Sequence, residues 1–206
     1  MKIFIAGIDG YLGWALAQYM TAQGHEVAGA DQLMRREWVT EVGSISGIPI
    51  ASHEERLQAF EKEFGKKLDF RVGDLTDFDF VKGFFEDFQP EAIVHLAQMP
   101  SAPYSMLDRR AADLTLRNNV GVTFNVIQAM NAHTPTAHLV KLGTMGEYGT
   151  PNIDIEEGWL EVEHKGRKDK FLFPRAAGSL YHTTKVLDTD LLGVDHAHSA
   201  LSRVGE

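Results

Sequence analysis

Short apolar runs alternate along this chain with longer segments whose apolar positions recur at helical spacing. The runs predict strands over residues 2–7, 26–30, 68–72, 92–96 and 138–142. The periodic segments predict helices over 11–22, 54–64, 79–88, 109–130 and 178–192. Near-continuous apolar strands separated by helices specify an α/β fold, with a parallel sheet covered on both faces. Gln23-Gly24-His25 marks the end of the first helix, because glycine takes the left-handed cap readily. Gln89-Pro90 ends the third, because a residue before proline avoids the helical region.

Two segments break the alternation. Residues 32–52 are rich in Gly, Ser and Ile-Pro, and residues 152–177 include the charged run from Lys165 to Lys170. Loops of that length in an α/β domain are functional or mobile. After Asp190 no β-branched run follows, so the fifth strand is expected at a sheet edge, where apolar strands invite pairing. The chain therefore reads as one domain over 1–192 with an irregular tail over 193–206, as if cut short.

The first strand runs into Gly7-Ile8-Asp9-Gly10-Tyr11-Leu12-Gly13, which opens the first helix. In that context the three glycines have distinct tasks: a tight turn, close approach of backbone to phosphate, and close helix–strand packing. The helix start then offers free N–H groups and a positive dipole end to a pyrophosphate. The loop predicts a Rossmann-type sheet, doubly wound in the order 3-2-1-4-5, holding NAD through Gly7, Asp9, Gly10, Tyr11, Leu12 and Gly13. Asp31 ends the second strand, where a carboxylate binds the adenosine ribose hydroxyls and repels a 2′-phosphate. It could equally cap the loop. Arg35 and Arg36 are placed to stack on adenine or meet a phosphate. Asp74 either reaches the adenine amine or forms a turn.

The net charge of −9 disfavours non-specific nucleic-acid binding, and there are no cysteines for disulfides, thiolate catalysis or thiolate zinc sites. His196 and His198 alone do not make a metal site. With no signal-peptide pattern and no membrane-length apolar run, the expectation is a soluble, cytoplasmic protein without membrane or nucleic-acid partners.

A second group of residues carries proton chemistry. Tyr181 and Lys185 are one helical turn apart and share a face. An ammonium beside a phenol favours the phenolate, so the pair is expected to lower the tyrosine pKa and remove a proton from a sugar hydroxyl. Thr144 follows the fifth strand, where it either bonds the reacting oxygen or caps the loop.

Glycine loop, acid after the second strand and Thr…Tyr-x-x-x-Lys together resemble the extended short-chain dehydrogenase/reductase superfamily. The run from Lys141 to Gly158, the segment Ser101-Ala102-Pro103-Tyr104-Ser105-Met106, Asn118-Asn119-Val120 and Tyr181-His182 resemble one family within it, the UDP-sulfoquinovose synthases. The likeness runs from residue 1 to about 190. It implies conversion of UDP-glucose and sulfite to UDP-sulfoquinovose through transient C4 oxidation by a retained NAD. It implies Thr144, Tyr181 and Lys185 as the redox trio, with Glu147 and Met145 in the elimination step and His182 toward sulfite or the leaving hydroxyl. On residues alone, Glu147 and His182 are equally structural. The resemblance adds Leu75, Leu96 and Asn119 to the cofactor set, and gives Gln98, Ser101, Tyr104, Thr144, Glu147 and Tyr181 as the substrate set. A hydrolase class, a homodimer through helices 109–130 and 178–192, and a sulfite-donating partner protein complete the expectation. Two departures stand out: Gln98-Met99-Pro100 lacks the Glu and Arg usual there, and the substrate-gripping subdomain is largely missing.

Overall fold

Strand β1 (Lys2–Ala6) explains the layering, because its pleat sends alternate residues to opposite faces. Phe4 and Ala6 join one core, with Phe84, Phe85, Val122 and Val126. Ile3 and Ile5 join another, with Ala17, Val27 and Phe60. Both faces of the strand are thus dry, which is why the run reads as uninterrupted apolar sequence. The structure, a computed structural model, describes residues 1–155 and 158–203, with side chains to Asp195. Glu156 and Glu157, and the side chains of His196 and His198, lie outside the described residues.

The sheet comprises β1, β2 (Glu26–Asp31), β3 (Asp69–Val72), β4 (Ala92–His95) and β5 (His138–Lys141), all parallel, in the order β3-β2-β1-β4-β5. Helices α1 (Tyr11–Ala22) and α3 (His53–Phe64) cover one face. Helices α4 (Phe78–Phe88) and α6 (Arg109–His133) cover the other, and Phe4 stacks edge-on against Phe84 and Phe85 at 4.8 and 5.1 Å. Helix starts are fixed by side chains: Ser52 and Glu55 form a capping box on α3, Asp77 caps α4 and Asp108 caps α6.

Both irregular segments contain structure that periodicity does not reveal. Residues 32–52 hold helix α2 (Met34–Glu41), a polar helix anchored by buried Trp38 against the Tyr104 ring. Residues 152–177 hold an antiparallel hairpin of β6 (Trp159–His164) and β7 (Arg167–Leu172). Lys165 and Gly166 turn it, with φ of 53° and 74°, the double positive φ that matches the strand twist in a two-residue hairpin. A short α5 (Ala102–Ser105) and a 3₁₀ turn at Met145–Tyr148 complete the inventory with α7 (Leu180–Arg203).

Helix α7 corrects the expected tail: the backbone stays helical well past residue 192. Residues 191–203 contain no proline and one glycine, so nothing local stops the helix. Strand β5 pairs with β4 alone among the described residues, and exposes Val140. No helix among those residues is long and apolar enough to cross a membrane.

Candidate active site

The carboxyl ends of β1, β2 and β4 open onto a cavity of about 280 Å³. Its floor is the glycine loop. Gly7 has φ +84° and lies so close to β4 that a Cβ would sit 2.7 Å from the Ala97 nitrogen. A Cβ on Gly13 would sit 2.2 Å from the Gly7 oxygen, so the chain itself demands both glycines. Gly10 differs: its nearest obstacle is the Gly7 oxygen at 3.2 Å, and the open side faces the cavity. Gly10 also precedes α1 with no side-chain cap, unlike α3, α4 and α6. The first amides of α1 are therefore left for an acceptor from outside the chain, as a pyrophosphate would supply. Tyr11 and Leu12 line the same rim. These features fit a dinucleotide.

Asp31 lines the cavity at the end of β2. Its Oδ1 accepts from the Leu33 amide at 2.7 Å and its Oδ2 from the Asp9 amide at 3.1 Å. Burial pushes its pKa up, and the Leu33 amide opposes that by favouring the charged form. Leu33 adopts φ 63° to make this bond, which begins α2. Arg35 lines the cavity. Arg36 does not meet it, because its guanidinium is held by the Asp9 carboxylate at 2.8 and 3.0 Å. Asp9 likewise faces away from the cavity, and Arg56 from α3 bonds its carboxylate at 2.5 Å.

Leu75 and Leu96 line the cavity, but Asp74 does not. The Asp74 carboxylate accepts from the Thr76 amide at 2.8 Å, the turn-forming alternative. Asn119 stands outside the cavity lining. It is fully buried, braces Met99 through a 2.7 Å bond, and donates to Thr184 on α7 at 3.0 Å. Its neighbour Asn118 lines the cavity instead, as helical rotation requires of adjacent residues.

Gln98 reaches the cavity, while its amide donates to Asp188 at 2.5 Å and to Thr123 at 3.2 Å. Ser101 caps α5 by accepting from the Tyr104 amide at 3.2 Å. Tyr104 is buried, and its hydroxyl donates to Glu41 at 3.2 Å. Tyr104 stands outside the cavity lining. The useful link from this segment is Ser105, whose Oγ accepts from the Tyr181 amide at 3.1 Å and fixes the start of α7.

At the β5 end of the cleft, the 3₁₀ turn packs on α7. Thr144 caps that turn, its Oγ1 accepting from the Gly146 amide at 3.2 Å. Met145 is 84% exposed. Glu147 is buried, accepts from Thr189 at 3.4 Å and lies 3.8 Å from Arg175. A Cβ on Gly146 would meet the His182 ring at 2.3 Å, so the turn and the histidine interlock. His182 Nδ1 bonds the Ser179 hydroxyl at 3.1 Å. The Lys185 ammonium lies 5.7 Å from the Tyr181 ring centre and donates to the Leu142 carbonyl at 2.7 Å. Leu142 lines the cavity, so this contact ties the tyrosine–lysine pair to the cavity wall. Thr144, Tyr181 and Lys185 themselves stand outside the lining.

The electrostatics differ from the sequence expectation. Burial pushes the Tyr181 phenol up, and the Asp188 and Glu147 carboxylates push it further. Burial brings Lys185 down to about 8, helped by Lys141 and opposed by Asp188 and Glu147. Beneath the pair lies a polar layer with no sequence signal: Lys141 pairs with fully buried Asp188 at 3.3 Å, and His95 bonds Thr123 at 3.0 Å. Burial and the two lysines bring His95 down to about 3.

Comparison with known proteins adds a family. Residues 3–170 match the model of the NAD dependent epimerase/dehydratase family. The chain is 48% identical over 193 residues to a UDP-sulfoquinovose synthase of Sulfolobus acidocaldarius, covering 93% of this chain and 49% of that protein. It is 45% identical over 188 residues to a chloroplastic UDP-sulfoquinovose synthase of Spinacia oleracea, covering 91% of this chain and 39% of that one. The chain thus spans half or less of the length of both relatives. A Campylobacter jejuni UDP-Glc/GlcNAc 4-epimerase shares the fold at a TM-score of 0.69 and 22% identity, over 96% of this chain and 49% of that chain. A Bifidobacterium longum UDP-glucose 4-epimerase, in complex with NAD+ and UDP, does so at 0.70 and 17%, over 96% and 50%. The family match corrects the hydrolase expectation, since an epimerase/dehydratase rearranges or eliminates at the sugar and does not hydrolyse a bond.

Proposed function

We propose that this chain, which belongs to the NAD dependent epimerase/dehydratase family, carries the cofactor-binding and redox portion of a UDP-sulfoquinovose synthase. The observation that carries the reading is the packing of the turn that Thr144 caps and Glu147 belongs to against the helix that carries Tyr181, His182 and Lys185, beside a cavity floored by the uncapped glycine loop. The two relatives of that name, at 48% and 45% identity, support it.

The amides that begin α1 would hold the pyrophosphate and Asp31 a ribose, with Leu75 and Leu96 offering apolar walls. Bound NAD supplies a reversible hydride acceptor at C4 of the sugar. Tyr181 takes the C4 hydroxyl proton while Thr144 bonds the same oxygen. The Lys185 ammonium, 5.7 Å from the ring centre, and the positive nicotinamide ring that bound NAD would bring both favour the phenolate, against the burial and the two carboxylates that raise the Tyr181 pKa. A ketone at C4 acidifies the C5 hydrogen, and Glu147 accepts that proton as the C6 hydroxyl leaves. His182 gives the departing hydroxyl its proton, so water is lost across C5 and C6. Sulfite adds at C6, a proton returns to C5, and reduction at C4 returns the Tyr181 proton to oxygen. The balance is UDP-glucose plus bisulfite giving UDP-sulfoquinovose plus water, with the cofactor regenerated. Met145, exposed and without polar partner atoms suited to proton transfer, contributes apolar contact only.

Incubation with UDP-glucose, NAD+ and sulfite, read by mass spectrometry, tests the reading. A sulfonated nucleotide sugar is the expected product. NAD+ binding without that product would leave cofactor holding as the activity of this chain. The reading extends to a homodimer through α6 and α7, which expose Leu116, Phe124, Leu187 and Val194. Light scattering should return twice the chain mass, and a monomer at micromolar concentration would rule that out. A sulfite-donating partner belongs to the same proposal and would show as product formed from protein-bound sulfite.

A further inference from the structure

We propose that Asp9 discriminates between dinucleotides by immobilising two arginines that would otherwise receive a 2′-phosphate. The inference rests on the cofactor reading above and concerns how the site rejects the phosphorylated cofactor.

Asp9 sits inside the glycine loop, where a side chain is not needed for the turn. It is 6% exposed and meets two guanidinium groups from two helices. Arg36 of α2 approaches with Nε at 2.8 Å and Nη2 at 3.0 Å, a bidentate fork on one carboxylate. Arg56 of α3 adds Nη1 at 2.5 Å, donates to the Asp9 carbonyl at 3.0 Å, and stacks on Trp14 at 4.1 Å. The Asp9 amide donates to Asp31 at 3.1 Å, so the cluster stands directly behind the ribose carboxylate.

Charge counting shows what the arrangement does. Asp9 and Asp31 against Arg36 and Arg56 sum to zero. Removal of Asp31 alone leaves +1, but both guanidinium groups remain bound to Asp9. Removal of both acids leaves +2, with the planar donors free to meet a phosphate dianion in the geometry they favour. Asp31 thus repels the 2′-phosphate, and Asp9 withholds the groups that would welcome it. Arg35 stands exposed on the cavity rim in every variant and cancels from the comparison.

The test is calorimetric titration of the full chain with NAD+ and NADP+ separately. Asp31→Ser should weaken NAD+ and leave NADP+ binding weak. Asp9→Ser combined with Asp31→Ser should bind NADP+ at least about tenfold more tightly than Asp31→Ser does, the scale of one charge-assisted contact. Arg36→Ala added to the double variant should remove most of that gain, assigning it to the freed guanidinium. Equal NADP+ affinity in the single and double variants would overturn the inference. Should the double variant fail to fold, Asp9→Asn alone carries the test. It keeps the side-chain size, and it should raise NADP+ affinity relative to NAD+ severalfold. A wild-type chain that binds no NAD+ would overturn the cofactor reading and this inference together, whereas an unchanged ratio with NAD+ binding intact overturns only the inference.

Discussion

The two ends of the cleft are built by opposite means. At the glycine loop, function is left to the backbone: a positive φ at Gly7, a contact that forbids any Cβ at Gly13, and helix amides without a cap. At the β5 end, function is left to charged side chains taken out of water. Lys185, Lys141, Asp188 and Glu147 are all buried or nearly so, and burial, with the neighbouring charges after it, sets the lowered pKa of Lys185. A backbone site is rigid once the chain is folded and is insensitive to pH. A buried charge cluster is tunable, but each member depends on the rest.

Removal of one buried charge should break the second region most severely. Asp188→Ala leaves Lys141 without its buried counter-charge and takes one of two acceptors from the Gln98 amide, and should cost about 3–5 kcal/mol in urea unfolding, as for other buried pairs deprived of one partner. Tyr181→Phe should lower turnover by about a thousandfold, within the range of lost acid–base catalysis, while calorimetry finds NAD+ affinity unchanged. At the loop the contrast is steric. Gly13→Ala, with its Cβ 2.2 Å from a backbone oxygen, should destabilise by about 2–3 kcal/mol. Gly10→Ala should cost less than about 1 kcal/mol of stability but weaken NAD+, since its Cβ would fill the phosphate side. Equal stability of the two glycine variants would erase the distinction drawn between them.

Smaller effects follow from pH. Lys185 loses its proton above about 8, so kcat/KM should fall as pH rises through that value, and Lys185→Arg should remove that descending limb. His95 resists protonation in the fold down to about 3, while the unfolded chain protonates near 6.5. The unfolded state then binds more protons, so stability should fall as pH drops through that window. His95→Gln, followed by acid unfolding, should show a shallower loss.

The central strands β1, β2 and β4 were legible because most of their residues are buried, and the edge strands β3 and β5 because Gly73 and Gly143 follow closely on their apolar runs. The cofactor loop was legible because its residues are consecutive. What escaped is non-local or weakly patterned. Arg56 meets Asp9 from 47 positions away. Asp188 and Lys141 look like surface charges until α7 is laid over β5. Helix α2 hides because its apolar anchor is the single buried Trp38. The hairpin did carry a signal, the Lys165-Gly166 pair between runs containing Leu160, Val162 and Phe171, but the surrounding charges masked it. The expected low tyrosine pKa failed for a related reason: the lysine charge was visible in the sequence, whereas burial and two opposing carboxylates were not.

Asp31 is held by Leu33 on one oxygen and Asp9 on the other, in the chain as it stands alone. Its rotamer is therefore chosen during folding, and the entropy of that choice is spent before any ligand arrives. Association at the ribose then needs neither a search among side-chain conformers nor a slow closing step. The left-handed Leu33 is the small strain that keeps this acceptor waiting in place.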